Sequence, residues 1–404
     1  MNIKSLLLGS AAALVAVSGA RAADAVVVAE PEPVEYVRVC DVYGAGFYYI
    51  PGTETCLKVS GYFRYDIGAG PLDVGYDIGI RDVIDRNDPV NADGTLNFDD
   101  TWRKRARFQL RVDARSETEL GTLRAYMAYN VQYDTVATVG DIGLIDPNTG
   151  LALGATRETT NIFNNSIEHA YLELGGFRAG KTDSYFSTFT DYAGGVIHDD
   201  LIPYGPFDTM QLAYTYDAGN GFTAGVALEE GDGILYTLDS YTPNVVAGVG
   251  YTAGWGGIKF VAAYDSVWEQ FAVKGRVDAK FNDMFSAFIM AGWADKDDLV
   301  DPATGFVLAE SIGPNYYGGW GGDWGIWGGF TAQVTPKAAI NVQLSYDDFE
   351  DFAAVANVAY ELVPGLTITP EIMYTDNFND DDDIFDIDDD SNNWAGFLRL
   401  QRNF

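Results

Sequence analysis

The segment Trp102-Arg-Lys-Arg-Ala-Arg-Phe-Gln-Leu-Arg-Val-Asp-Ala-Arg115 places an arginine or another polar residue at nearly every second position, with apolar residues between them. After a break at 117–122, the segment 123–133 alternates in the same way. A period of two puts one set of side chains on each face of a strand. The sequence therefore predicts a hairpin with one apolar face and one face rich in guanidinium groups, and this hairpin alone would also fit a soluble sheet.

Similar alternation continues along the chain to the last residue, Phe404. The sixteen predicted strands are 57–66, 101–115, 122–133, 166–174, 177–182, 209–217, 222–229, 244–252, 258–265, 269–280, 284–294, 323–334, 339–347, 353–362, 366–375 and 393–404. Seven of their connections are tight turns. Seven others are longer or strongly polar, at about 67–100, 134–165, 183–208, 230–243, 295–322, 348–352 and 376–392, and an eighth near 265–268 is short. Turns and loops alternate along the chain.

Short turns on one side and longer loops on the other are typical of an outer-membrane barrel. A sheet crosses a bilayer only when it is closed, because every backbone group must be paired there. The prediction is therefore an all-β, sixteen-stranded antiparallel transmembrane β-barrel, wide enough for a water-filled lumen. A soluble all-β protein is the alternative. Tryptophans near strand ends argue against it, because an interfacial aromatic belt needs them there: Trp102, Trp268, Trp293, Trp324 and Trp394.

The chain begins with a basic residue, Lys4, an apolar run and the sequence Ala20-Arg-Ala22, which are the parts of a cleaved signal peptide. We predict three parts: a signal peptide at 1–22, an N-terminal periplasmic segment at 23–56 and a barrel domain at 57–404. Because export leads to an oxidising compartment, Cys40 and Cys56 are expected to form a disulfide. Two reduced, buried cysteines are the alternative.

The net charge is −34, and the leader carries two basic and no acidic residues, so the remaining chain has a net charge of −36. Such an acidic protein has no general affinity for nucleic acid. The acidic run at 380–390 could bind calcium or magnesium through its carboxylates. Its spacing is not specific for a metal site, however, so a solvated outer loop is favoured and no cofactor is predicted. His198 beside Asp199 and Asp200 could in principle activate a water, but such a cluster in a long loop is more often polar surface, and no enzymatic activity is predicted.

The segment from Glu35 to Tyr62, the segments 116–122 and 359–365, and the terminal Phe404 resemble the alphaproteobacterial general porins over essentially the whole chain. The resemblance implies a homotrimeric outer-membrane pore that passes small hydrophilic solutes and ions by diffusion, surrounded by outer-membrane lipid and lipopolysaccharide. It also implies that the third outer loop folds inward and narrows the channel. A surface-exposed structural or adhesin barrel remains the alternative function.

If Phe108 and Val112 face lipid, the alternating arginines face the lumen and form a basic wall. Its predicted members are Arg64, Arg103, Arg105, Arg107, Arg111, Arg124 and Arg178. The opposing charge is expected on the third outer loop, from Asp183, Asp191, Asp199, Asp200 and Asp208. Charges on the lumen wall tune ion selectivity.

The overall acidity motivates the hypothesis of a weak preference for cations, although the arginines argue the other way. A reversal potential showing clear anion selectivity would contradict it. The double substitution Arg105→Ala and Arg111→Ala is expected to enlarge the conductance or shift the selectivity without unfolding the barrel. Loss of heat-resistant trimers would instead indicate that these arginines are structural.

Overall fold

The computed structural model describes residues 38–70, 78–300, 305, 307–309, 311, 313–377 and 393–404. Sixteen long strands form one antiparallel sheet. They are β1 (Cys56–Ala69), β2 (Arg103–Thr118), β3 (Gly121–Gly140), β4 (Thr156–Leu174), β5 (Phe177–Asp183), β6 (Asp208–Asp217), β7 (Phe222–Glu229), β8 (Asn244–Ala253), β9 (Gly256–Asp265), β10 (Gln270–Lys280), β11 (Phe285–Ala294), β12 (Trp324–Thr335), β13 (Ala338–Asp347), β14 (Asp351–Val363), β15 (Leu366–Asn377) and β16 (Asn393–Asn403). Each predicted strand corresponds to one of these, which confirms the fold class.

The sheet closes between its first and last strands. β1 pairs with β2 on one side and with β16 on the other, where Tyr62 lies opposite Asn403 and Ala69 opposite Gly396. At the seam the backbones of Gly61 and Phe404 exchange two hydrogen bonds of 3.1 Å. The Phe404 ring packs against Phe63 and Phe108. The terminal phenylalanine therefore completes the pairing of β1, and within the described residues each of the sixteen long strands is paired on both sides.

The burial pattern is the reverse of that in a soluble protein. The outward residues Phe63 and Leu212 are 60% and 51% exposed. The inward residues Asp66 and Gln211 on the same two strands are only 2% and 4% exposed. A continuous exposed apolar surface of this kind marks contact with an apolar environment. The five tryptophans predicted for the aromatic belt are also exposed, and all of them lie near loop-side strand ends.

Seven turns of two to four residues alternate with eight outer loops, as predicted. The first outer loop contains a short hairpin of Ile80–Ile84 with Phe98–Thr101, and Arg86 from this loop forms an ion pair with Glu158 on β4. Among the described residues, no helix is long and apolar enough to cross a membrane. The predicted signal peptide at 1–22, much of the segment 23–56 and the acidic run at 380–390 lie outside the described residues.

The second outer loop is much shorter than the predicted loop at 134–165. β3 continues to Gly140 and β4 begins at Thr156, so that Val136 lies opposite Thr160 and Thr138 opposite Glu158. The extension is rich in β-branched residues, which favour strands. We predicted a loop because polar residues dominate 156–165, but cross-strand pairing holds these residues in the sheet.

The predicted disulfide joins Cys40 and Cys56. Both cysteines are buried, and they pack with Phe47 in a small apolar cluster at the turn side of the barrel. The bridge attaches the segment before the barrel directly to the first residue of β1. It therefore closes a loop with a sequence separation of 16 residues and holds residues 40–55 against the start of β1.

Candidate functional site

The seven predicted arginines lie on the inward face of neighbouring strands. Strand pairing brings them together, because Arg64 on β1 lies opposite Arg107 on β2, and β3, β4 and β5 follow in order. A further inward arginine that was not predicted, Arg399 on β16, lies opposite Asp66. The alternation of Phe397, Arg399 and Gln401 in the sequence is the feature that could have identified Arg399 as an inward residue. Closure of the barrel places this strand beside β1.

Four of the predicted arginines form ion pairs with carboxylates on the same face. The ion pairs are Arg103 with Asp134 at 3.0 Å, Arg105 with Asp66 at 2.6 Å, Arg124 with Asp113 and Glu173 at 2.9 Å each, and Arg178 with Glu173 at 2.8 Å. Asp66 also accepts a hydrogen bond from Arg399 at 2.8 Å. The sequence showed the arginines, but the partners became evident only from the register.

The remaining three arginines are held by neutral side chains. The Nε atoms of Arg64, Arg107 and Arg111 donate to the amide oxygens of Gln401, Gln132 and Gln109, at 2.8, 2.7 and 2.5 Å respectively. None of them has a carboxylate within ion-pair distance in the part of the chain that the structure describes. Their positive charge is therefore not compensated by the wall.

The third outer loop, 184–207, folds into the barrel. It begins with helix α1 (Tyr185–Phe189), and Ser184 caps this helix by accepting from the Phe186 amide. The buried Glu229 on β7 accepts from the Ser184 hydroxyl at 2.7 Å and from the Tyr185 amide at 2.6 Å. Burying a carboxylate is costly unless several donors satisfy it, so Glu229 fixes the start of the loop against the wall.

The rest of the loop follows the inner wall from β10 to β16. Side chains on β10, β12, β13 and β14 bind its carbonyl oxygens: Lys274 binds Tyr204, Arg276 binds Tyr192 and Ala193, Trp327 binds Ile202, Gln343 binds Asp199, and Asn357 binds Gly195. A loop buried in this way needs such partners for its backbone. The loop therefore covers the wall opposite the arginines.

The tip of the loop is attached to β15. Glu371 accepts from the amides of Ile197 at 2.5 Å and His198 at 3.1 Å, and its carboxylate lies 2.6 Å from His198 Nδ1. The His198 ring packs edge-on against Phe397, with 4.5 Å between centroids. Arg399 lies over the same Phe397 ring, so the tip reaches the edge of the arginine wall. His198 thus contacts Glu371 on β15, a partner that its neighbours in sequence did not indicate.

The five predicted aspartates do not form one cluster. Asp183 ends β5 and Asp208 begins β6, and the two residues lie opposite each other. Asp183 accepts a hydrogen bond from the Tyr192 hydroxyl, and Asp208 forms an ion pair with Lys181. Asp191 forms an ion pair with Lys259 on β9 at 2.5 Å. Only Asp199 and Asp200 lie close to the tip.

Asp199 is partly buried and accepts a hydrogen bond of 3.0 Å from the Tyr204 hydroxyl. Burial, and then the charge of the adjacent Asp200, raise the pKa of Asp199 to about 7. Its charge is therefore present above about pH 7 and lost below it. We expect cation preference to increase from pH 6 to pH 8, measured as the reversal potential in a salt gradient.

The same raised pKa predicts that ionisation of Asp199 weakens the folded arrangement of the loop as the pH rises from about 4 through 7. Replacing Asp199 with asparagine removes the titrating group, so the variant should show a flatter selectivity profile. A profile identical to that of the unmodified protein would assign the titration to another group.

No cluster of three or more His, Cys, Asp or Glu side chains suited to a metal occurs among the described residues.

Comparison with known proteins places this architecture in a family. Residues 24–398 match the family described as "Porin subfamily". The chain is 45% identical over 412 residues to Porin Omp2b of Brucella suis biovar 1 and 44% identical over 410 residues to Porin Omp2a of Brucella melitensis biotype 1, with both chains fully covered in each case.

Solved structures share the fold. The outer membrane channel DcaP of Acinetobacter baumannii matches with a TM-score of 0.56 at 16% identity, covering 88% of this chain and 99% of that one. OprB of Pseudomonas putida matches with a TM-score of 0.51 at 9% identity, covering 86% and 94%. With a closed barrel and an inward-folded loop, the chain belongs to the porin family and is an outer-membrane diffusion channel.

Proposed function

We propose that this porin passes small hydrophilic solutes and ions through a constriction between the arginine wall and the third outer loop. The observation that supports it best is the course of residues 184–207, which are bonded to the inner wall from β7 to β15 and leave the arginine face uncovered. Fixed charges at a narrow point act strongly on passing ions because little water remains to screen them.

The proposed lining comprises both charged sets. The basic residues are Arg64, Arg103, Arg105, Arg107, Arg111, Arg124 and Arg178, and the acidic residues are Asp183, Asp191, Asp199, Asp200 and Asp208. Because wall carboxylates form ion pairs with four of these arginines, the basic wall is weaker than its arginine count implies. Together with the overall acidity, this supports a weak preference for cations.

We also propose that the protein is exported with a signal peptide cleaved after Ala22 and forms a homotrimer among outer-membrane lipid and lipopolysaccharide. The leader composition supports the first point. Resemblance to the general porins supports the second, and cyclic closure is a common arrangement for homo-oligomers.

Planar-bilayer recording of the purified mature protein in a salt gradient tests these proposals. Large, stable conductance steps that commonly occur in groups of three are expected, with a reversal potential slightly on the cation side. Single, ungrouped steps would contradict the trimer. Clear anion selectivity would contradict the cation preference. Insertion without conductance would contradict an open constriction and favour a structural or adhesin role.

A further inference from the structure

The inward arginines fall into two chemically different groups. Those paired with carboxylates use their terminal nitrogens in ion pairs. The amide-held arginines, which we define as Arg64, Arg107 and Arg111, use only Nε, and each donates it to a glutamine oxygen. Across the described part of the chain, no group accepts a hydrogen bond from their terminal nitrogens. Two donor nitrogens on each guanidinium therefore remain available to a solute.

The amide-held arginines are close together. Arg64 and Arg107 are direct partners in the β1–β2 register. The guanidinium carbons of Arg64 and Arg111 lie 4.3 and 5.6 Å from the centroid of one ring, that of Tyr62. Tyr62 is buried, and Gln109 lies directly opposite it. Tyr62 and the three glutamines therefore orient the guanidinium groups without cancelling their charge.

This arrangement matches what a phosphate group requires. Planar guanidinium groups bind phosphate oxygens with two parallel hydrogen bonds, and such charge-assisted bonds are stronger than neutral ones. Like charges held close together on a wall attract a multivalent anion more strongly than a monovalent one. Carboxylates in place of the three glutamines would have compensated the charge of these arginines, as Asp134 does at Arg103.

We propose that the amide-held arginines form a binding subsite for the phosphate group of small solutes that cross the channel. This inference rests on the proposed open constriction. A phosphate held there neutralises the local positive charge, so its binding makes the pore more cation-selective. The subsite is shallow because Arg111 is exposed to the lumen, so an anion is retained briefly and can leave towards either side.

The test uses the full mature protein in planar bilayers, with inorganic phosphate replacing chloride at constant ionic strength. In the unmodified protein, phosphate is expected to reduce the chloride current and shift the reversal potential towards potassium, with both effects saturating. The double substitution Gln132→Glu and Gln401→Glu supplies carboxylates at these two positions with nearly unchanged side-chain volume. The phosphate concentration for half-effect should then rise about tenfold or more, as expected for the loss of a charge-assisted contact.

A matched control is Gln333→Glu, which makes the same change beside a turn on β12, away from the amide-held arginines. It should leave the half-effect concentration unchanged. If the double variant fails to fold, Arg111→Gln is a second variant, because Arg111 is already exposed, and it should weaken the phosphate effect in the same direction.

Two results would overturn the subsite: a phosphate effect that rises linearly without saturation, or equal half-effect concentrations in the unmodified protein and the variants. Failure of the unmodified protein to conduct would instead contradict the open constriction on which this inference rests. The two failures are therefore distinguishable in the same recording.

Discussion

Replacing Glu371 with alanine is expected to detach the tip of the third outer loop and produce larger, noisier channel currents. Glu371 is 5% exposed and accepts from two loop amides, from Asn357 at 2.9 Å and from the His198 ring. Its loss leaves buried donors without an acceptor. Breaking such a buried charged contact costs roughly 3 kcal/mol, which corresponds to about a hundredfold change in the ratio of detached to attached tip.

Single-channel recording measures the change in current, and the rate at which a maleimide labels Val196→Cys measures exposure of the tip. A suitable control is Glu361→Ala, because the Glu361 carboxylate accepts a hydrogen bond from the Gly365 amide in a turn and lies away from the loop tip. The control should keep the current and labelling rate of the unmodified protein. Unchanged current and labelling in Glu371→Ala would mean that the other wall contacts hold the tip without Glu371.

Replacing Asp66 with asparagine is expected to destabilise the barrel and move its selectivity towards anions. The Asp66 carboxylate is buried and binds Arg105 and Arg399 from both neighbouring strands. Asparagine keeps the size but leaves two partly buried guanidinium groups without a counter-charge. Removing one partner of a buried charged group typically costs about 3–5 kcal/mol, and the wall gains one net positive charge.

The free energy of unfolding in urea, measured in lipid or detergent, tests the first effect, and the reversal potential tests the second. Asp283→Asn is the matched control, because Asp283 forms an exposed ion pair with Lys280 in a turn, and exposed pairs contribute little. The control should leave both measurements nearly unchanged. If Asp66→Asn unfolds at the same urea concentration as the unmodified protein, the surrounding water already satisfies the arginines.

Much of the fold was predictable because strand alternation is a local property. In the hairpin at 103–133, a few residues are enough to identify the two faces, because successive side chains of a strand point to opposite sides of the sheet. The turn at 175–176 and the loop predicted at 183–208 were identified from glycine and polar residues, which are also local features of the sequence. The error at the second outer loop arose where local polarity indicated a loop but the opposing strand held Val136 and Thr138 in the sheet.

The amino-acid sequence by itself determined the sixteen strands, the apolar and basic faces of the barrel, the disulfide partners and the family, because each depends on neighbours in sequence or on short motifs. Only the tertiary structure decided which of the inward arginines have a carboxylate partner. Arg105 and Arg107 look alike in sequence, yet one lies opposite Asp66 and the other beside Gln132. The tertiary structure also decided the course of the third outer loop. The residues that anchor it, Lys274, Trp327 and Glu371, lie up to 174 residues away in sequence and contact it only when the barrel closes.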